Sequence, residues 1–493
     1  MRADLHHMTI EEAADAMSSG QLSSVELTES VLARVESVED RYKAYITVDA
    51  DGAMEQARRA DEMRAGGRAT AVTGVPVCIK DNIVTRGLRT TCASKLLEDF
   101  VPPFDATIIA KLRQAGAVIV GKTNLDEFAM GSSTENSGFF TSRNPWDVSR
   151  VPGGSSGGSA VAPAYGGCIF AIGEDTGGSI RQPASFCGIV GCKPTYGRVS
   201  RWGSVAMASS LDQIGPMCKT VRDAAIALRV IAGHEPKDAT SSTRPVPDYL
   251  DGIEGGVEGL KIGYVPSLLD TEGIHPGVVE VTENARKAYE DLGAEIVNVE
   301  LPNLKYSIST YYILCPSEVS ANMARFDGIR YGVEHRGEDM WGTYARTRGL
   351  GFGQEVKRRI IIGAFALSAG YYDAYYQKAA KVRTLIARDF SEALDKCDAI
   401  LMPVTPFPAF KIGEFIDNTL RLYLADIFTL GLNLAGLPGL CVPAGTVDNM
   451  PQGVQLVGRA YDEKILFQAG RAFERRSAHS LAHRLAASKE KLP

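Results

Sequence analysis

The chain has 493 residues, 45% of them hydrophobic and 23% charged, and carries a formal net charge of -6. This supplies a large core and length for two or three domains, but no global basic field of the kind that grips nucleic acid. The densest basic cluster is the short run Lys357-Arg358-Arg359.

In chain order, two helices come first. Thr9 with Glu12, and Ser23 with Glu26, have the spacing of capping boxes. Leu27, Val31, Leu32 and Val35 then mark one helical face. Short strands and helices follow in alternation. Ile108 to Gln114 reads as helix, Gly116 as its stop, and Ala117-Val118-Ile119-Val120 as buried strand. Gly116-x-x-x-x-Gly121-Lys122-Thr123 matches the phosphate-loop spacing. Its Ala-Val-Ile-Val interior favours a strand, and a helix precedes the first glycine, so no ATP site is expected there. Leu260 to Val265, Glu295 to Val299, Ala399 to Val404, Gly439 to Val442 and Val454 to Val457 read as strands. Pro276 opens a helix reaching Leu292, with Gly293 ending it. Asp462 caps a last amphipathic helix through Phe473. The pattern predicts one large α/β domain over residues 1–493, a mixed sheet covered by helices on both faces. Asp238 to Pro247 is the most polar connector, within about 238–250, and the tail 477–493 reads as polar, basic and loosely ordered.

The 9 cysteines include no C-x-x-C pair and sit mostly in apolar surroundings. They read as buried free thiols in a reducing compartment. No His/Cys group has ligand spacing, so no metal is expected. The start, Met1-Arg2-Ala3-Asp4-Leu5, has no apolar core of a signal peptide, and no run long enough to span a membrane follows. A cytoplasmic location is expected.

Three clusters carry chemistry. They are Lys80 in Val77-Cys78-Ile79-Lys80-Asp81-Asn82, the serine pair in Gly153-Gly154-Ser155-Ser156-Gly157-Gly158-Ser159, and Ser179 in Asp175-Thr176-Gly177-Gly178-Ser179-Ile180-Arg181. A serine hydroxyl needs a base to become a nucleophile. No histidine lies between His7 and His234, so Lys80 is the candidate base. A lysine serves only when neutral, and burial favours that form. Val75, Val77 and Ile79 alternate before it, consistent with burial. Ser155 is placed to pass a proton from Ser179 to Lys80. The backbone N–H groups of Thr176, Gly177 and Gly178 are candidates for an oxyanion hole, each such donor contributing about 3 to 4 kcal/mol to the transition state.

The combination resembles the amidase signature family, which uses a Ser–cis-Ser–Lys triad. Carried over by motif, Lys80 is the base, Ser155 the relay and Ser179 the acyl-forming nucleophile, within a signature core of about 65–215. Asn124 to Ser137, Arg143-Asn144-Pro145-Trp146-Asp147, Arg181-Gln182-Pro183-Ala184, Lys193 to Ser200, Phe326 to Gly332 and Glu355 to Ile360 are similar to one branch of that family, the A subunits of tRNA-dependent amidotransferases. Glu174, Ser185 and Cys192 depart from the pattern, and none is expected to touch the triad.

The resemblance implies glutamine as the amide. Arg359 would bind its α-carboxylate and Asp426 its ammonium, with Arg358 an open alternative to Arg359, and Tyr311 and Tyr312 lining the same pocket. It further implies no cofactor in this chain and a heterotrimer with B and C subunits, ATP and Mg²⁺ being held on the partner. Ammonia would pass there to amidate Glu-tRNA(Gln) or Asp-tRNA(Asn), the charged tRNA being bound mainly by the partner. The rival readings are a stand-alone amidase acting on another small amide, and a scaffold that only docks partners.

Overall fold

The computed structural model describes residues 5–476; the expected tail 477–493 lies outside them. Eleven strands form one sheet: β1 Tyr45–Val48, β2 Pro76–Lys80, β3 Val118–Thr123, β4 Phe170–Asp175, β5 Val190–Lys193, β6 Gln213–Cys218, β7 Lys261–Tyr264, β8 Glu295–Asn298, β9 Ala399–Pro403, β10 Gly439–Val447 and β11 Met450–Val457. Their order is β1-β3-β2-β4-β6-β5-β10-β11-β9-β7-β8. The pairs β3/β2, β2/β4, β9/β7 and β7/β8 are parallel, and the rest antiparallel, so the sheet is mixed as the pattern predicts.

Side chains alternate across a strand, and here the alternation feeds two cores. Ile400 and Met402 of β9 join one apolar cluster, and Leu401 between them joins the other. The first cluster takes in the helices Ser24–Tyr42, Val221–Ile231 and Glu463–Arg476; the second takes in Ser307–Asn322 and Lys378–Leu394. Helices thus cover both faces. β2 departs from simple alternation: all five of its residues are buried.

Local signals place these elements. Both capping boxes form, at Thr9/Glu12 and Ser23/Glu26. Gly116 takes φ 76 after the helix Thr107–Gln114, a left-handed turn open to glycine. Gly121, Lys122 and Thr123 lie inside β3, and Lys122 is buried against Asp81 at 3.2 Å, so the phosphate-loop spacing is accidental. β10 and β11 are longer than the sequence suggests. They close as a hairpin across Asp448 and Asn449, at φ 51 and 62. The polar connector is strapped down: Arg198 Nη1 donates to the carbonyls of Arg244 and Pro245, and Ser242 N–H to that of Gly197. All 9 cysteines are free and buried. No described helix is long and apolar enough to cross a membrane.

Candidate active site

Neighbouring strand ends and the loops that follow them build the site. β2 ends on Lys80, fully buried. Its Nζ donates to Ser155 Oγ at 2.8 Å and to the Glu174 carbonyl at 3.0 Å. Burial disfavours the ammonium and holds the Lys80 pKa down at about 8, against the opposing charges of Glu174, Asp126, Asp175 and Asp212. Ser155 follows a cis Gly154–Ser155 peptide and precedes the helix Gly157–Tyr165. Ser179 stands on the turn between β4 and the helix Arg181–Cys187. It is 8% exposed where Lys80 and Ser155 are closed to solvent, and its hydroxyl has no protein partner among the described residues.

Asp175, at the end of β4, holds the turn. Its Oδ1 accepts from Gly178 N–H at 2.8 Å and Asn433 Nδ2 at 2.8 Å; its Oδ2 accepts from Ile180 N–H at 3.2 Å and Arg181 Nε at 3.0 Å. Burial works against the Asp175 charge, but the Arg181 guanidinium and these donors win and pull its pKa down to about 2. Arg181 continues to Asn433 Oδ1, the Thr429 carbonyl and Gln455 Oε1. The turn has no room for side chains: a Cβ on Gly177 would meet Leu430 and Tyr311 within 3.0 Å, and one on Gly178 would meet Thr429 Oγ1 at 2.3 Å. These contacts narrow the expected oxyanion donors. Gly178 already donates to a carboxylate, whereas the N–H groups of Thr176 and Gly177 have no protein acceptor among the described residues.

Arg359 and Asp426 lie far apart in sequence, yet near enough in space for the Arg359 charge to act on the Asp426 carboxyl. Arg359 is 2% exposed, in the helix Gln354–Ala366, under Tyr312 and Tyr423, whose rings stack at 3.8 Å. Its Nε donates to Glu355 Oε1 at 2.8 Å, and its terminal nitrogens have no protein partner among the described residues. Arg358 points outward, its side chain 44% exposed and paired to the other Glu355 oxygen. The geometry therefore separates the two arginines: Arg359 is buried and Arg358 faces outward. Asp426 Oδ2 accepts from Ser132 Oγ, while its buried Oδ1 has no partner. Burial raises the Asp426 pKa to about 7, against the Ser132 hydrogen bond and the charge of Arg359. A cation with free N–H groups thus accompanies a carboxylate with a free oxygen. Tyr311 reaches the same wall beside Gly177.

Two residues of the motifs do more than their sequence context indicates. Asp126 accepts the N–H groups of Ser133, Thr134 and Asn136 at 3.3, 2.9 and 3.1 Å, and its own N–H reaches the Ser155 carbonyl. Glu174 is a correction. The sequence sets it clear of the triad, yet its carbonyl binds Lys80. A main-chain contact of this kind leaves no mark on residue type. Asp175 and Arg181 are readable as a pair, since a buried arginine so near an aspartate needs that charge.

The description of the Amidase family matches residues 26–467. The chain is 55% identical over 471 residues to the A subunit of glutamyl-tRNA(Gln) amidotransferase from Roseiflexus sp. strain RS-1, covering 96% of each. It is 54% identical to the A subunit of the same enzyme from Carboxydothermus hydrogenoformans, covering 96% of this chain and 97% of that one. The crystal structure of the corresponding A subunit from Thermotoga maritima superposes with TM-score 0.80 at 47% identity, covering 97% and 96% of the two chains. A peptide amidase from Stenotrophomonas maltophilia superposes with TM-score 0.81 at 32% identity, covering 95% and 96%. The chain belongs to the amidase family and is an enzyme of it, similar along nearly its whole length to A subunits of glutamyl-tRNA(Gln) amidotransferases.

Proposed function

We propose that this chain is the glutamine-hydrolysing component of a tRNA-dependent amidotransferase, acting in the cytoplasm beside B and C subunits. The observation that carries the proposal is the Lys80–Ser155 hydrogen bond near a Ser179 whose hydroxyl is uncommitted among the described residues, with Arg359 and Asp426 in reserve for a zwitterion. Arg359 takes the α-carboxylate of glutamine through its free guanidinium face, and Asp426 Oδ1 takes the ammonium. The side-chain amide then lies over Ser179.

Ser179 Oγ attacks the amide carbon as its proton passes through Ser155 to neutral Lys80. The N–H groups of Thr176 and Gly177 receive the oxyanion. Protonated Lys80 returns a proton through Ser155 to the departing nitrogen. The C–N bond breaks, ammonia leaves, and a γ-glutamyl ester remains on Ser179. Water, deprotonated by the same relay, releases glutamate. Free ammonia would protonate in bulk water, so it passes to the B subunit, which holds ATP, Mg²⁺ and the charged tRNA and amidates Glu-tRNA(Gln) or Asp-tRNA(Asn). The names of the A-subunit relatives support this assignment over a free-standing amidase.

The test is ammonia release from glutamine by the purified chain, alone and with the B and C subunits, ATP and charged tRNA. Strong stimulation by the partners is expected. High turnover alone, indifferent to glutamine, would assign a free-standing amidase instead. A Ser179→Ala variant supporting full glutamine-dependent amidation would leave only a scaffold.

A further inference from the structure

One buried amide beside the site has no part in the mechanism above. Gln182 lies in the segment Arg181-Gln182-Pro183-Ala184, three residues beyond Ser179, and is fully buried. Its Oε1 accepts the Gly154 N–H at 2.9 Å, and its Nε2 donates to the Ser132 carbonyl at 2.9 Å. Both partners are main-chain groups of buried residues, and neither has another protein partner among the described residues. A backbone N–H only donates and a carbonyl only accepts, so the amide has one possible orientation.

These contacts converge on Ser155. The N–H before it, at Gly154, is held by the Gln182 side chain. The N–H after it, at Ser156, donates to the Ser179 carbonyl at 3.2 Å. Gln182's own N–H donates to the Gly178 carbonyl at 2.8 Å. The serine that binds Lys80 is thus tied on both sides to the segment 178–182, which carries Ser179. One tie is main chain and needs no particular side chain; the other needs Gln182. Gly153 is bare for the same reason: a Cβ there would meet Gln182 Oε1 at 2.3 Å and push the amide off the loop. The contact at Ser132 leads on to Asp426, whose Oδ2 accepts from the Ser132 hydroxyl.

We propose that Gln182 is a positioning residue: its amide holds Ser155 in place between Lys80 and Ser179, and braces the loop whose Ser132 supports Asp426. The proposal rests on the reading of Ser155 as the proton relay. Few side chains can substitute. An ionised glutamate has no donor for the Ser132 carbonyl, methionine has no donor and only a weak acceptor, and asparagine is a methylene short. A misplacement of about 1 Å in catalytic geometry costs on the order of 100-fold in rate.

The full chain, assembled with its partners, is treated with a fluorophosphonate, and glutamine hydrolysis is followed in parallel. Ser179 Oγ bonds to phosphorus, fluoride leaves, and the serine proton goes to the base. In Gln182→Met the labelling rate and kcat are expected to fall together, by about 10- to 100-fold, with a smaller change in KM. Gln182→Glu keeps the acceptor for Gly154, and its labelling is expected to fall about 3- to 10-fold. Gln213→Met is the control for lost stability. Gln213 is fully buried too, and its amide bridges the Gly197 N–H at 2.8 Å and the Val199 carbonyl at 3.2 Å, in a loop without a triad member. That variant is expected to lower the urea midpoint and leave labelling within about threefold. Labelling at the unaltered rate in Gln182→Met, or equal slowing in Gln213→Met, overturns the proposal. If Gln182→Met does not fold, Gln182→Glu decides by the same comparison. Slowed labelling in Gln182→Met, in a protein that never hydrolyses glutamine, sustains the positioning role and refutes the glutamine reading. Ser179 inert to the reagent in the unaltered chain refutes both.

Discussion

A lysine can replace histidine as a serine's base only where its ammonium is costly. At Lys80 that cost comes from complete burial, and four acids partly cancel it. The base form is neutral, so activity requires pH at or above its pKa. The kcat/KM for glutamine is expected to rise with pH and level off above about 8. A profile flat down to pH about 6 would mean that Lys80 is not the titrating base. The pair proposed to hold the substrate makes a separate prediction. Arg359→Lys keeps a charge but loses the fork, and should raise the KM for glutamine about 10- to 100-fold with a smaller effect on kcat. Arg358→Lys should leave both unchanged, because that side chain faces outward. Equal effects of the two substitutions in steady-state kinetics would contradict the placement. The proposed triad is legible in sequence because its two serines sit in short, glycine-marked segments and Lys80 ends an apolar run before Asp81-Asn82. Arg359 and Asp426 are reachable only through the family resemblance, since nothing local pairs two residues on different elements. The role of the Glu174 carbonyl is invisible in sequence, because a main-chain contact does not depend on the side chain.

At the scale of elements, the turn that carries Ser179 is held by one buried ion pair. Asp175 and Arg181 are both fully buried at 3.0 Å. Removing one partner strands the other charge. Arg181→Met is expected to cost about 3–5 kcal/mol in urea unfolding. It should also slow hydrolysis, because Gly178 and Ile180 hang from the same carboxylate. A cost near zero would mean that the pair is dispensable. The β10–β11 hairpin is a gentler case. Asn449 at φ 62 tolerates the left-handed region that a β-branched residue resists. Asn449→Val is expected to cost about 1–2 kcal/mol and Asn449→Gly little, by the same measurement. The two strands look short in sequence because Asp-Asn is a weaker turn signal than Asn-Gly, and Pro443 and Pro451 lie where ladder donors are expected. The capping boxes, by contrast, are legible because both halves of each lie within four residues.

For the molecule as a whole, the sheet brings the candidate functional groups together from opposite ends of the chain. Arg181, two residues beyond Ser179, grips Thr429, Asn433 and Gln455. Arg359 and Asp426 come from the later half. Burial has a global consequence too. Glu39, Glu127, Asp223 and Asp426 are each raised to about 7, and Asp126 to about 6, with desolvation the first cause in every case. These groups hold protons in the folded chain that the unfolded chain has released above about pH 4. Stability from them is therefore fully present below about pH 4 and is lost as pH rises from there through 6 to 7. Asp175, lowered to about 2, acts the other way but only below about pH 4. The urea midpoint is expected to be higher at about pH 5 than at about pH 7.5, and the reverse order would contradict the role given to desolvated carboxyls.

Lys80, on this reading, drives hydrolysis of glutamine on one chain for use by another. The decisive experiment is Lys80→Ala in the assembled complex, assayed for amidation of charged tRNA first with glutamine and then with ammonium as the nitrogen source. Glutamine-dependent amidation and ammonia release are expected to be lost, by about a thousandfold or more, while ammonium-dependent amidation persists. Loss of both together would make Lys80 a structural residue, and persistence of both would place the base elsewhere.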